Sequence, residues 1–359
     1  MRGWRTNRKI VVFESDDWGS IRMPNSNVFS KFIEKGYNLK SDPYCKFDTL
    51  ASSKDLMLLF EVLSKYRDVE GNHPIITFNT VVANPAFDKI RESRFQNYYY
   101  EPFTQTLQNY YPNENVFELW REGMAEKLIR PQFHGREHVN VPLWLEELKQ
   151  DNKAIREAFD LGFWGIPKTL YSTNNINIQA SYSSDNPEHI KEYKKTVKGG
   201  LELFEQIFNF RSETFIANNY TWPLELNVEL EKMGVKGLQS MRYQKIPKES
   251  SVKLQRVYTG KVRNNQVYMV RNCIFEPSQT PLYFDDVTAC LNQIKNAFFW
   301  QKPAIISMHR LNLIGTIDES NREVNLKKLH LLLQKITELW PTVNFLSSDE
   351  LSKLIMKND

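Results

Sequence analysis

Short apolar, β-branched runs recur along this chain, and segments of helical periodicity lie between them. That alternation constrains the fold more than any other feature, because strand, crossover helix and strand make the unit of a parallel sheet. The first run, residues 9–15, reads as a buried strand ending in Asp16-Asp17-Trp18-Gly19. Residues 54–66 have helical spacing, and 74–82 read as a second strand. A third strand is expected just before His134. A helix follows over 187–209, with Pro187 near its start, where a missing N–H costs nothing. Strands are then expected at 213–217, 235–240, 267–274, 304–308 and 343–346, and helices at 224–233, 285–299 and 325–339.

Seven or eight strand signals with no Gly/Ser-rich or Pro-rich linker favour one α/β barrel domain over residues 1–359. Two stretches interrupt the alternation, at about 84–125 and 139–185. In barrels such excursions follow the C-terminal ends of strands and build the site. The 22 Phe, 16 Tyr and 8 Trp supply a large core. Those at 95–111 are also candidates for stacking on sugar rings.

Net charge is +4, spread along the chain, which is no footprint for nucleic acid. Cys45, Cys273 and Cys290 form no Cys-x-x-Cys pair and read as free thiols of a reducing compartment. No apolar run approaches the roughly 18 residues needed to span a bilayer, and no signal peptide is visible. A cytoplasmic location is the expectation.

Three features can carry chemistry. Asp16-Asp17 ends the first strand. Adjacent residues leave a strand in opposite directions, so one can bind a metal while the other faces a substrate; the run also fits a turn or helix cap. His134 and His138 stand at i and i+4, close enough to share a metal if the segment is helical. Their surroundings do not match the His-Glu-x-x-His helix of zinc proteases. His309 ends a buried late strand, a position that a hydrogen-bonded structural histidine also occupies. Together these give an Asp/His/His ligand set with an open position, a second carboxylate and a further imidazole.

The order of these motifs resembles the polysaccharide deacetylase family (the NodB-homology, carbohydrate esterase 4 group). Glu14-Ser15-Asp16-Asp17-Trp18-Gly19 stands for its Thr-Phe-Asp-Asp-Gly motif, and His134–His138 for His-Ser/Thr-x-x-His. Ala217-Asn218-Asn219-Tyr220-Thr221-Trp222-Pro223 stands for Arg-x-Pro-Tyr-Gly, and Ser307-Met308-His309 for Leu-x-His. The resemblance implies a distorted (β/α)7 barrel of the glycoside hydrolase/deacetylase type. It also implies a metal on Asp17, His134 and His138, Asp16 as general base, His309 as general acid, and the backbone N–H of Tyr220 at the oxyanion. The third motif lacks its arginine; Arg242 and Arg271 are the candidate replacements. Trp18, Asn219, Trp222, Arg242 and Arg271 are the candidate substrate contacts.

The function this implies is metal-dependent removal of an N- or O-linked acetyl group from a carbohydrate. Zinc suits two imidazoles and a carboxylate, with cobalt, nickel or iron as alternatives. Two other readings stay open: a carbohydrate-binding or scaffolding barrel that has lost turnover, and a glycoside hydrolase on a related barrel, which needs two carboxylates flanking the bond.

Overall fold

A computed structural model describes residues 2–39, 41–172, 177–248 and 251–357. Part of the second excursion, 173–176, lies outside the described residues. The first strand runs further than the sequence suggests, from Lys9 to Trp18 (β1), and everything after Lys9 is buried, as in a parallel strand covered on both faces. The rest of its sheet comprises β2 (Ile76–Thr80), β3 (Ile129–Phe133), β4 (Thr214–Phe215), β5 (Gly237–Ser240), β6 (Val262–Arg263), β7 (Gln266–Val270), β8 (Cys273–Ile274), β9 (Ala304–His309) and β10 (Val343–Phe345). The lateral order is β6-β7-β5-β4-β3-β2-β1-β9-β8, with β10 also paired to β1. The pairings are parallel apart from β6 with β7.

The α/β architecture is as expected, but the barrel is not closed. Among the described residues no ladder joins β7 to β8. The chain itself crosses the opening: the single strand expected at 267–274 breaks at Arg271-Asn272. Three residue steps reach at most about 11 Å, so the sheet curls until β7 and β8 nearly meet.

Alternation along β1 feeds two cores. Val11 and Phe13 belong to the large core between sheet and helices. Ile10 and Val12 point inside the curl, against Val267 and Met269 of β7, Ile305 of β9, and Leu351 and Ile355 of the helix Ser348–Lys357. That helix plugs the N-terminal end of the sheet. The same alternation carries Glu14 and Asp16 up the interior above the plug, where Ser348 Oγ donates to Glu14 at 2.8 Å.

Local capping sets the flanking helices. Ser52 and Asp55 form a capping box on the helix Ser53–Ser64. Asn186 caps Pro187–Phe208, which ends at a left-handed Asn209. The last long helix starts at Glu319, six residues before the apolar periodicity becomes legible, because Asp318 caps it.

The two excursions fold as helices with a hairpin between Ala83–Pro85 and Tyr100–Pro102. Most of their aromatic residues pack inward, whereas Tyr99 and Tyr100 are exposed, so packing accounts for only part of the 95–111 cluster. Phe95 lies edge-on to Phe159, and Phe103 packs with Phe117, Trp120 and Phe208. Tyr98 and Tyr100 hold the Arg136 guanidinium. The three cysteines are free and buried. Among the described residues, no helix is long and apolar enough to cross a membrane.

Candidate active site

The C-terminal ends of the parallel strands converge on a cavity of about 250 Å³. Asp16 and Asp17 of β1, His134 just after β3, and His309 of β9 line it, together with Arg22, Tyr44, His138, Gln179, Ala217, Asn219 and Tyr220. Asp16 and Asp17 share this cavity instead of facing apart. The register of β1 against β2 slips between Ser15 and Trp18, and Asp17 takes a φ of 73°. A bulge of this kind re-aims a side chain. Gly19 completes the turn at φ 80°, where a Cβ would sit 2.2 Å from the Val81 carbonyl oxygen.

The two histidines do not lie on a helix; residues 134–138 are a loop. The His134 N–H donates to the Thr80 carbonyl (2.9 Å), and the Gly135 carbonyl accepts from Val82 (3.2 Å). His138 stacks on Trp164, with ring centroids 5.3 Å apart. His134 Nδ1 meets the Ile216 carbonyl at 2.9 Å. A carbonyl only accepts, so Nδ1 carries the proton and Nε2 presents a lone pair. That Nε2 accepts from Asn218 Nδ2 at 3.1 Å, and His138 Nε2 lies 3.2 Å from Arg22 Nη2, a pure donor.

Both lone pairs face one carboxylate oxygen. Asp17 Oδ1 lies 3.4 Å from His134 Nε2 and 3.0 Å from His138 Nε2. Ligand atoms brought together in this way suit a cation. The donors of a tetrahedral zinc ion, at bond lengths near 2.0–2.1 Å, stand about 3.3 Å apart. The residues present therefore fit a divalent metal. The ligand atoms are also charged or neutral as a metal needs. Burial alone would raise the Asp17 pKa, but the Arg22 guanidinium holds it well below the ordinary carboxylate range. Burial and the Arg22 charge push His138 down to about 4, so it stays neutral.

Asp16 is held by Arg271. The guanidinium grips both carboxylate oxygens, Nη2 to Oδ1 at 2.6 Å and Nη1 to Oδ2 at 2.7 Å. Its Nε donates to Glu14 at 2.6 Å, and Nη1 also reaches Tyr220 Oη at 3.0 Å. Asn79 of β2 donates to Asp16 Oδ1 at 2.7 Å. Burial works to raise the Asp16 pKa, yet Arg271 outweighs it and the pKa falls below the ordinary value. Of the two candidate arginines, Arg271 is the one that reaches Asp16, and it does so from the strand break at 271. Arg242, the other candidate, is exposed and lies over the Tyr243 ring, away from the cavity.

His309 pairs with Glu276, Nδ1 to Oε1 at 2.5 Å, and its Nε2 lies 3.9 Å from Asp16 Oδ2. Asn312 and Gln279 fix the other Glu276 oxygen. Burial would lower the His309 pKa, but the Glu276 carboxylate dominates and lifts it to about 9. A raised pKa keeps the imidazole protonated at neutral pH, and the charge is lost only as pH rises through about 9. Replacing Glu276 by Gln leaves the burial effect and removes the main opposing charge. The alkaline limb of kcat in a Glu276→Gln variant is therefore expected to move below that of wild type, toward or under the ordinary 6.5. A uniform drop in kcat with the limb unmoved would assign Glu276 a packing role only.

Other expectations need correction. The Tyr220 N–H already donates to the Ala217 carbonyl at 3.0 Å, so it is not a free oxyanion donor; its hydroxyl serves Arg271. Trp18 is a core residue stacked on Phe78 with centroids 3.4 Å apart, its Nε1 donating to Ser15. Trp222 is fully buried and donates to Asn227 at 2.8 Å. Neither tryptophan reaches the cavity, whereas Asn219 lines it. Sequence reasoning missed Arg22, Tyr44 and Glu276. None of them belongs to a motif; Arg22 follows Asp17 by five residues and Glu276 follows the strand break.

No family model matches the chain, and no curated protein matches it. Solved structures do. A protein of Parabacteroides distasonis, assigned as a glycoside hydrolase/deacetylase, aligns over 99% of this chain and 73% of its own at 8% identity, with a TM-score of 0.50. An allantoinase aligns over 98% of this chain and 91% of its own at 9% identity, TM-score 0.48. A protein of Mycobacterium smegmatis, assigned as a polysaccharide deacetylase, aligns over 99% and 93% at 8% identity, TM-score 0.46. The chain has the fold of the glycoside hydrolase/deacetylase class, in divergent form.

Proposed function

We propose that this protein is a metal-dependent hydrolase that removes an acetyl group from a carbohydrate. One observation carries the reading: a metal-competent Asp17/His134/His138 cluster shares a single cavity with an ionised Asp16 and a protonated His309. Asp17, His134 and His138 would hold the cation, zinc being the ion that best suits two imidazoles and one carboxylate. When bound, it would acidify a water molecule and polarise the acyl carbonyl. Asp16, clamped by Arg271, takes the proton of the attacking water. His309, oriented by Glu276, returns a proton to the departing amine or alcohol. Base and acid thus have their pKa values pushed apart by their surroundings, as acid–base catalysis requires.

The binding-only reading rests on a missing arginine, and Arg271 removes that motive. Glycoside hydrolysis needs one carboxyl kept protonated by a raised pKa. Asp16 and Asp17 are both shifted the other way. The test is acetate release from a panel of N- and O-acetylated saccharides, with the protein loaded with zinc and after chelation. Release that chelation abolishes and zinc restores is the expected result. Release unaffected by chelation, or none across the panel, would contradict it.

A further inference from the structure

The cavity contains a cation that the mechanism above does not use. Arg22 is buried, 5% exposed, and sits on the rim of the metal-competent cluster. Its Nη2 donates to Asp17 Oδ2 at 3.1 Å and lies 3.2 Å from His138 Nε2. Tyr44 and Trp164 flank the guanidinium at 5.2 and 4.9 Å from their ring centroids. Those rings fix its plane without using its hydrogens. Its Nε is buried and makes no hydrogen bond, the nearest carboxylate oxygen, on Asp48, standing 3.8 Å away. The Nε donor is therefore unspent, although burying a donor without a partner is unfavourable. Once His138 Nε2 ligates a cation, Arg22 loses that acceptor as well. A protein keeps such a group beside a reaction centre when a ligand oxygen is its partner.

The Tyr220 N–H is spent on Ala217, which leaves the oxyanion without the backbone donor expected for it. We propose that Arg22 is that donor: a catalytic residue that hydrogen-bonds the acyl oxygen as negative charge builds on it. This rests on the acyl-hydrolase reading above. In the step, the water oxygen bonds to the acyl carbon, Asp16 takes the water proton, and the carbonyl π pair moves onto the acyl oxygen. Arg22 donates hydrogen bonds to that oxygen and gives up no proton. The pair then re-forms the carbonyl as the carbon–nitrogen or carbon–oxygen bond breaks, and the leaving atom takes its proton from His309. A planar guanidinium between two rings suits this task better than an ammonium, which is a point charge on a flexible stem.

Methylphosphonate, a tetrahedral anion of the same shape as the acetyl addition state, provides a probe that needs no turnover. Calorimetric titration of the zinc-loaded full chain is expected to show binding to wild type and at least tenfold weaker binding to Arg22→Met. Arg22→Met should still bind one zinc per chain, and kcat should fall about 10²–10³-fold, the usual cost of one oxyanion donor, with KM little changed. Arg22→Lys, which keeps a charge in the site, should retain zinc and part of the anion affinity. Unchanged methylphosphonate affinity in Arg22→Met would overturn the proposal. So would parallel loss of zinc in Arg22→Met and Arg22→Lys, which would reduce Arg22 to a support for Asp17. A wild type that binds zinc and, through Arg22, methylphosphonate, yet releases no acetate, would overturn the deacetylase reading and leave Arg22 as the anion donor.

Discussion

Arg271→Met is expected to lower folding stability by about 3–5 kcal/mol, the cost of removing one member of a buried ion cluster. Arg271 is fully buried and is the cation for two interior carboxylates, Glu14 and Asp16. Glu14 already sits above the ordinary carboxylate range because burial outweighs Arg271 there. Without the arginine, burial loses its main opponent at both carboxylates, and each takes up a proton at higher pH. The ionised form of Asp16 is then less favoured. The sign follows from linkage: the Asp16 pKa is depressed in the folded state, so its contribution is present above the unfolded value of 3.8 and is lost as pH falls through the lower folded value. Removing Arg271 lets burial lift the folded pKa, which reverses the sign: the variant loses stability as pH rises, and its deficit against wild type grows with pH. Denaturant midpoints of wild type and Arg271→Met, taken between pH 4 and 8, measure the effect. Equal stability across that range would show that Arg271 is not the counter-charge of the interior.

Asp16→Asn is expected to have the largest effect on activity. Asparagine keeps the shape and can still accept from Asn79 and Arg271, but it takes no proton from water. General base catalysis contributes about 10²–10⁴-fold, and kcat should fall by that factor while zinc content stays at the wild-type level. Asp16 is not one of the three converging ligand atoms, which is why metal and activity should separate in this variant. Joint loss of zinc and activity would make Asp16 a ligand and remove its role as base. Activity within a factor of a few of wild type would place the base elsewhere.

Much of this site is legible in the amino-acid sequence. β1, β3 and β9 end in Asp16-Asp17, His134 and His309 because short apolar runs in a parallel sheet deliver whatever follows them to one end. The sheet register pairs Asp16 with His309 directly. What stays hidden depends on lateral geometry. Arg271 meets Asp16 across 255 residues of sequence, and it does so because a strand that reads as continuous breaks there to cross the opening of the sheet. Glu276 and Arg22 belong to no periodic pattern, since each lies just past a strand end, where loop geometry alone aims the side chain. Trp18 and Trp222 fail for the opposite reason. They adjoin motif residues in sequence, but the chain turns them into the core while their neighbours face the cavity. Phe95 and Phe103 are core material for the excursion, while Tyr99 and Tyr100 of the same cluster stay exposed.

The proposed chemistry depends on Asp17, His134 and His138 holding a divalent cation. Metal content of the purified chain after equilibration with zinc and exhaustive dialysis tests it directly. One zinc per chain is expected in wild type, and less than a tenth of that in His134→Ala and in His138→Ala, both still folded by circular dichroism. Wild type without stoichiometric zinc, cobalt, nickel or iron, or histidine variants that keep a full equivalent, would contradict it.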